Sequence, residues 1–260
     1  MQMKNILLIT ISILLIIWSF FIEPNQLVVT NYSIKDENLK GLKFVFVGDF
    51  HIKPNQHKRL TKVVDLINEQ RPDLVLSVGD FVSGHEANMT MLIEDITKEL
   101  KKVKSKYGFY TVLGNHDWWQ DGNTITDVLN KNGIKVLANN SVKIDKFYIA
   151  GVEDITTREP NVYQALEGTK SPVILLSHSP DIFPKVPNNV NLTLAGHVHG
   201  GQVRLPLLGA LIVPSEYRDK YSLGLIEENG KKMIVTKGIG NSILPIRFNC
   251  TPEIVVIKFE

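Results

Sequence analysis

Five apolar runs along this 260-residue chain finish in one manner, with a small residue followed by a side chain suited to holding a metal or moving a proton. Phe44 to Val47 ends in Gly48-Asp49-Phe50-His51, Leu74 to Val78 in Gly79-Asp80, and Phe109 to Leu113 in Gly114-Asn115-His116-Asp117. Val173 to Leu176 ends in Ser177-His178, and Leu192 to Ala195 in Gly196-His197-Val198-His199-Gly200-Gly201-Gln202. Short runs of this kind read as strands covered on both faces. In an open α/β sheet the carboxyl ends of the strands share one edge, where ligands bind. Five of the seven histidines fall in these motifs. Burying carboxylates beside imidazoles is costly unless something positive organises them, and divalent cations do so.

The segments between the runs support layering. Leu60, Val63, Val64 and Ile67 recur at i, i+3, i+4 and i+7, which predicts a helix between His57 and Gln70. Met89, Leu92, Ile93, Ile96, Leu100 and Val103 mark a second helix, and a shorter third is expected from Ile125 to Asn132, before Gly133. Leu27 to Thr30 and Leu42 to Val47 read as strands, Tyr221–Ile226 with Lys231–Thr236 as a hairpin, and Glu253 to Phe259 as a final strand. Alternating strands and helices favour an α/β class.

The first 22 residues differ from everything after them. Ile6 to Ile22 is apolar apart from Thr10, Ser12 and Ser19, and as a helix it covers roughly 25 Å, enough to span a bilayer with mild thinning. Trp18, Phe20 and Phe21 stand where a signal-peptide cut would need small residues, so an uncleaved anchor is expected. The division is residues 1–26 as anchor and short linker, and 27–260 as one domain on the extracytoplasmic face of the cell membrane. A net charge of +2, with no basic run beyond Lys98 to Lys106, excludes an electrostatic nucleic-acid binder. Cys250 is the single cysteine, so metals must be held by nitrogen and oxygen, which suits manganese, iron or zinc.

In order, Asp-x-His, Gly-Asp, Gly-Asn-His-Asp, His and Gly-His-x-His is the pattern of the calcineurin-like metallophosphoesterases, which the chain resembles across residues 42 to 202. It looks most like the bacterial, membrane-anchored phosphodiesterases of the YkuE/YaeI type, which share the His-x-His-Gly-Gly-Gln ending and the segment Arg247-Phe248-Asn249-Cys250-Thr251-Pro252-Glu253. The resemblance implies a four-layer α/β/β/α sandwich of two mixed β-sheets. It also implies that Asp49, His51 and His199 hold one divalent ion, that Asp80 bridges to a second, and that Asn115, His178 and His197 complete the second site. His116 would be the proton donor, oriented by Asp117. The implied function is a dinuclear phosphodiesterase or pyrophosphohydrolase in which a metal-bridging hydroxide attacks phosphorus. A phosphomonoesterase and a non-catalytic, membrane-tethered metal-binding protein are the alternatives.

Other residues are read more plainly. His57 and His85 carry no motif and are taken as surface residues. Arg204 and Arg247 each fit either a phosphate contact or a structural ion pair. Leu205 to Val213 is either core or an apolar lip for a lipid-linked substrate beside the membrane. A monomer is expected.

Overall fold

The computed structural model describes residues 2–84 and 89–260; His85 lies outside the described residues. In chain order the elements are α1 (Gln2–Ile17), β1 (Val28–Ile34), β2 (Lys43–Val47), α2 (His57–Glu69), β3 (Leu74–Ser77), α3 (Ile93–Leu100), β4 (Phe109–Thr111) and α4 (Asn115–Lys131). There follow β5 (Ile134–Val136), β6 (Asn140–Ile144), β7 (Phe147–Gly151), α5 (Val162–Ala165), β8 (Val173–Leu176) and β9 (Leu192–Ala195). The last part holds the short pair β10 (Arg204–Leu205) and β11 (Gly209–Ala210), then β12 (Gly224–Glu228), β13 (Lys231–Val235) and β14 (Glu253–Phe259).

Two six-stranded sheets form, ordered β1-β14-β2-β3-β4-β5 and β12-β13-β9-β8-β7-β6. β2 to β5 are parallel and β14 runs antiparallel to β2; β13, β9, β8 and β7 are parallel, flanked by antiparallel β12 and β6. Both sheets are therefore mixed. Side chains alternate across each strand. Phe44, Phe46, Leu74 and Leu76 meet Ile149, Ile174, Leu176, Leu192 and Leu194 between the sheets. Val45, Val47 and Val75 face Leu60, Val63, Ile67, Ile96 and Leu129 of the helices. On the far face of the second sheet, Ala150, Val173 and Leu175 pack on Val162, Ala165 and Ile182. The layers are helix, sheet, sheet, helix.

Three expectations are corrected. The third helix begins at Asn115 rather than Ile125 and kinks at Asp121, where φ is −170° and ψ 84°. Its first turns carry site residues instead of a core face, so their sequence shows no helical period. Leu205 to Val213 is not core, since Leu207, Leu208, Leu211 and Ile212 lie open to solvent. The residues expected to be the anchor's end and a short linker are docked on the domain. After α1 the chain makes a π-turn (Trp18–Ile22) and a 3₁₀ turn (Glu23–Asn25), and Glu23 is 2% exposed. The Glu23 carboxylate accepts from Asn249 N (3.0 Å), Cys250 N (2.6 Å), Thr251 Oγ1 (3.1 Å) and Trp18 Nε1 (2.8 Å). Arg247 N donates to Ser19 O at 2.9 Å, and Arg59 Nη1 to Pro24 O at 2.9 Å. Above this foot, α1 leaves its apolar side chains exposed; residues 3–25 are long and apolar enough to cross a membrane, with mean hydropathy 2.5.

Candidate metal centre

The carboxyl ends of β2, β3 and β4 in one sheet meet those of β8 and β9 in the other. Backbone bonds stitch the loops together: Asp49 N to Gly79 O (2.9 Å), His51 N to Asp80 O (2.9 Å), and Gly196 N to His178 O (2.8 Å). Asp49, His51, Asp80, Asn115, His178 and His199 are buried, and His197 and His116 are half-buried at the rim.

Close approach depends on missing side chains. At Gly114 an added Cβ would lie 2.2 Å from Asp80 Oδ1 and 2.5 Å from His178 Cε1, and at Gly196 it would lie 2.4 Å from Asp49 Oδ2. The turns also bend the site residues themselves. Asp49 (φ 51°), His51 (42°), Asp80 (53°), His197 (69°) and His199 (51°) all hold left-handed backbone conformations. Each costs about 1 kcal/mol or more, strain of the kind that concentrates at functional sites.

The donor atoms cluster as pairs that need a cation. His51 Nε2 lies 3.0 Å from His199 Nε2 and 3.4 Å from Asp80 Oδ2, while Asp49 Oδ1 is 3.8 Å from His199 Nε2. On the other side of Asp80, His178 Nε2 lies 3.0 Å from Asn115 Oδ1, 3.1 Å from His197 Nδ1 and 3.3 Å from Asp80 Oδ2. One N–H cannot serve three acceptors, and two neutral imidazole lone pairs 3.0 Å apart repel. His178 Nδ1 is 2.7 Å from Val78 O; donating there, the ring turns a lone pair at Nε2 toward the cluster, the usual orientation of a metal-ligating histidine. Asp49 Oδ2 and His51 Nδ1 are buried without a hydrogen-bond partner. Asp49, His51 and His199 offer ligand atoms within 4.8 Å of one another, as do Asp49, Asp80 and His178, and His51, Asp80 and His116. Carboxylate and imidazole donors in this density fit divalent ions.

Electrostatics agree. Burial lowers His51 to about 3 and, with the neighbouring His178, His197 to about 4. Burial, His51 and Arg247 hold His199 well below the usual imidazole range. These three rings are neutral and ready to ligate. Burial pushes Asp49 up to about 7. For Asp80 burial is outweighed by His178, His51 and His116, and the carboxyl stays ionised far below the usual range. His178, despite burial, is raised to about 10 by Asp80 and Asp49, so without a cation it holds a proton in the cation's place.

Asp117 departs from its expected role. Its carboxylate accepts from Asp80 N (2.7 Å), Phe81 N (2.9 Å) and Gly114 N (3.0 Å), so it fixes the turn that carries Asp80 and starts α4, and it makes no hydrogen bond to the His116 ring. His116 is set by others: its N–H donates to Asp80 Oδ1 (2.9 Å), its Nδ1 accepts from Gly84 N (3.1 Å), and its ring stands 4.6 Å from those of His51 and Trp119. Arg204 is engaged in an ion pair with Asp219 (2.8 Å). Arg247 is fully buried, donating to His199 O (3.1 Å), Lys237 O (2.9 Å), Gly240 O and Asn241 Oδ1 (2.8 Å), with Nη2 3.2 Å from His199 Nδ1. One residue escapes a reading of the sequence. Asp154 follows β7, is fully buried, has an unpartnered Oδ1, and acts electrostatically on His178 and His197. Gly151-Val152-Glu153-Asp154 repeats the glycine-then-carboxylate ending, with two residues interposed.

The calcineurin-like phosphoesterase family matches residues 42–201. Over 258 residues the chain is 30% identical to YkuE of Bacillus subtilis (strain 168), an uncharacterized metallophosphoesterase, with 92% of this chain and 88% of that one covered. Over 251 residues it is 28% identical to the phosphodiesterase YaeI of Escherichia coli (strain K12), with 92% and 90% covered. Among solved structures, that of TT1561 from Thermus thermophilus shares the fold, with a TM-score of 0.50 at 14% identity over 76% of this chain and 90% of that one.

Proposed function

Because the chain belongs to the calcineurin-like phosphoesterases, we propose that it is a membrane-anchored, dinuclear phosphodiesterase or pyrophosphohydrolase acting on a lipid-linked substrate. The observation that carries this reading is the convergence, from both sheets, of two buried aspartates, an asparagine and four imidazoles, with Asp49 Oδ2 left unpartnered among them. Asp49, His51 and His199 hold the first ion, Asp80 bridges, and Asn115, His178 and His197 hold the second; manganese, iron and zinc all suit these donors. Two such ions supply a water of lowered pKa and neutralise charge on the phosphoryl oxygens. His116, held at the rim by Asp80 and Gly84, donates a proton or hydrogen bond to the leaving oxygen. The name of YaeI favours a diester over a monoester, and Arg204 and Arg247 are both engaged within the protein. Residues 1–26 carry the anchor, 27–260 the catalytic domain, on the extracytoplasmic face.

The test uses the full chain in detergent, loaded in turn with manganese, zinc and iron, and offered a bis-aryl phosphodiester and an aryl monoester. Diester turnover that vanishes in Asp80→Asn is the expected result. His116→Ala should keep both ions and lose on the order of 10²–10⁴ in kcat. Absence of turnover in folded, metal-loaded protein overturns the enzymatic reading, and a monoester preference overturns the substrate class.

A further inference from the structure

Two turns beside the metal centre expose apolar side chains at positions where chain chemistry calls for glycine or asparagine. Leu207, at the tip between β10 and β11, is fully exposed with φ 69°; Ile243, in the turn before Arg247, is 93% exposed with φ 54°. A left-handed conformation strains any side chain, and a β-branched one most. In water, asparagine or glycine at either tip relieves the strain and removes the exposed hydrocarbon. Leu208, Leu211 and Ile212 are exposed beside the first tip in sequence and Leu244 beside the second, and neither Leu205–Val213 nor Ser242–Ile246 contains a charge.

Both turns are tied to the site and to the foot of α1. Gln202, three residues beyond His199, clamps the second turn: its Nε2 donates to Ser242 O (3.1 Å) and its Oε1 accepts from Ser242 N (2.9 Å). The first turn packs back on Gly201, where an added Cβ would meet Ala210 at 2.4 Å. Arg247, which closes the second turn, donates its N–H to Ser19 O in the π-turn that ends the apolar helix. Trp18, Phe20 and Phe21 are exposed in that π-turn, and aromatic side chains at the end of an apolar span mark the level of the membrane–water boundary. The second tip is thus tied through Arg247 to the foot of the span, and the first through Gly201 to the segment that carries Gln202.

We propose that the Leu207-Leu208 tip with Leu211 and Ile212, and the Ile243-Leu244 tip, dip into the bilayer that α1 crosses, so that the metal centre works against the lipid surface. The proposal rests on the anchor reading given above and specifies what that reading leaves open: the face of the domain turned to the membrane. Side chains of this kind settle roughly 5–10 Å into the headgroup and acyl boundary. Hydrocarbon that strains the backbone in water is stabilised there, while Gln202 ties the second tip, and Gly201 the first, to the segment that follows His199.

The test is the depth of spin labels on the full chain in phosphatidylcholine/phosphatidylglycerol nanodiscs, read as collision with oxygen against collision with an aqueous nickel chelate. Labels go on Leu208→Cys, Ile243→Cys, Ile9→Cys in the anchor and Tyr163→Cys on α5; native Cys250 is buried and stays unlabelled. The expected result is an oxygen-to-nickel ratio several-fold higher at positions 9, 208 and 243 than at 163. If 208 or 243 matches 163 while 9 remains in lipid, the docking is overturned and the anchor stands. If 9 also matches 163, both readings fall.

Discussion

Gly114→Ala isolates crowding at Asp80, the aspartate proposed to bridge the two ions. Gly114 has φ −99° and ψ 180°, extended backbone that any residue adopts, so the substitution adds a methyl group and no backbone strain. The new Cβ would lie 2.2 Å from Asp80 Oδ1 and 2.6 Å from His178 Nδ1, where ordinary contact begins at 3.4 Å. Asp80 Oδ1 must therefore retreat by about 1.2 Å. It cannot do so and keep the 2.9 Å bond from His116 N. Retreat also carries Oδ2 away from the His51 and His178 nitrogens that it now faces at 3.4 and 3.3 Å. Overpacking costs about 1–3 kcal/mol, a fall in Tm of roughly 2–12 °C in a domain of this size. A misplacement of about 1 Å at the reacting centre costs on the order of 10²-fold in kcat. Bound metal after dialysis, diester turnover and thermal unfolding are read together. Gly133→Ala is the control: φ is +84° with nothing within 4 Å of the added Cβ, so it costs about 1–2 kcal/mol of strain and leaves the site intact. Gly114→Ala protein with full metal content and turnover within about twofold of the parent would refute the placement of Asp80 between the ions.

Three further outcomes are expected. Glu23→Ala strands the buried Cys250 N–H and should cost about 1–3 kcal/mol, seen as a lower Tm in detergent; an unchanged Tm would mean that residues 18–25 are not held there. Between about pH 7 and 10 the metal-free protein should lose thermal stability: His178 is raised to about 10 from an ordinary 6.5, so its proton stabilises the fold below 6.5 and that contribution is lost as pH rises through the folded value. A divalent ion displaces the same proton, so its stabilising effect should grow across that window, and a gain in Tm that shrinks with pH contradicts the assignment. Asp154→Asn retains an oxygen for Thr156 N and Thr157 N but removes the charge beside His178 and His197; cation affinity should fall about 10–100-fold with little change in apo Tm, as read by competition with a metal chelator.

Much of this is legible from residue order, for identifiable reasons. α2 spans His57–Glu69 because Leu60, Val63, Val64 and Ile67 make one clean face against the first sheet. The five strand ends announce a metal site because glycine next to an acid or histidine has little use in packing, and the site's residues do come together. What stays hidden depends on three-dimensional partners. The left-handed turns at Asp49, His51, Asp80, His197 and His199 leave no mark in composition. Asp117 reads as a partner for its sequence neighbour His116 and instead caps backbone 36 and 37 positions away. β6 does not read as a strand because it is a half-exposed edge without clear alternation. Leu205 to Val213 reads as core or as lip, since hydropathy reports composition and not which neighbours cover it.

The first sheet is completed late. β14 lies between β1 and β2, and roughly two hundred residues separate Val47 from Glu253. At synthesis rates of about 5–20 residues per second, β1 and β2 wait on the order of ten seconds or longer for the strand that joins them. Glu23 waits equally, because its partners at Asn249 and Cys250 adjoin that strand. If α1 is the anchor proposed above, threading into the membrane is finished before the pocket exists. On that reading the metal pocket forms only in the compartment where the last strand is delivered, and the metal supply of that compartment would decide which ion fills it.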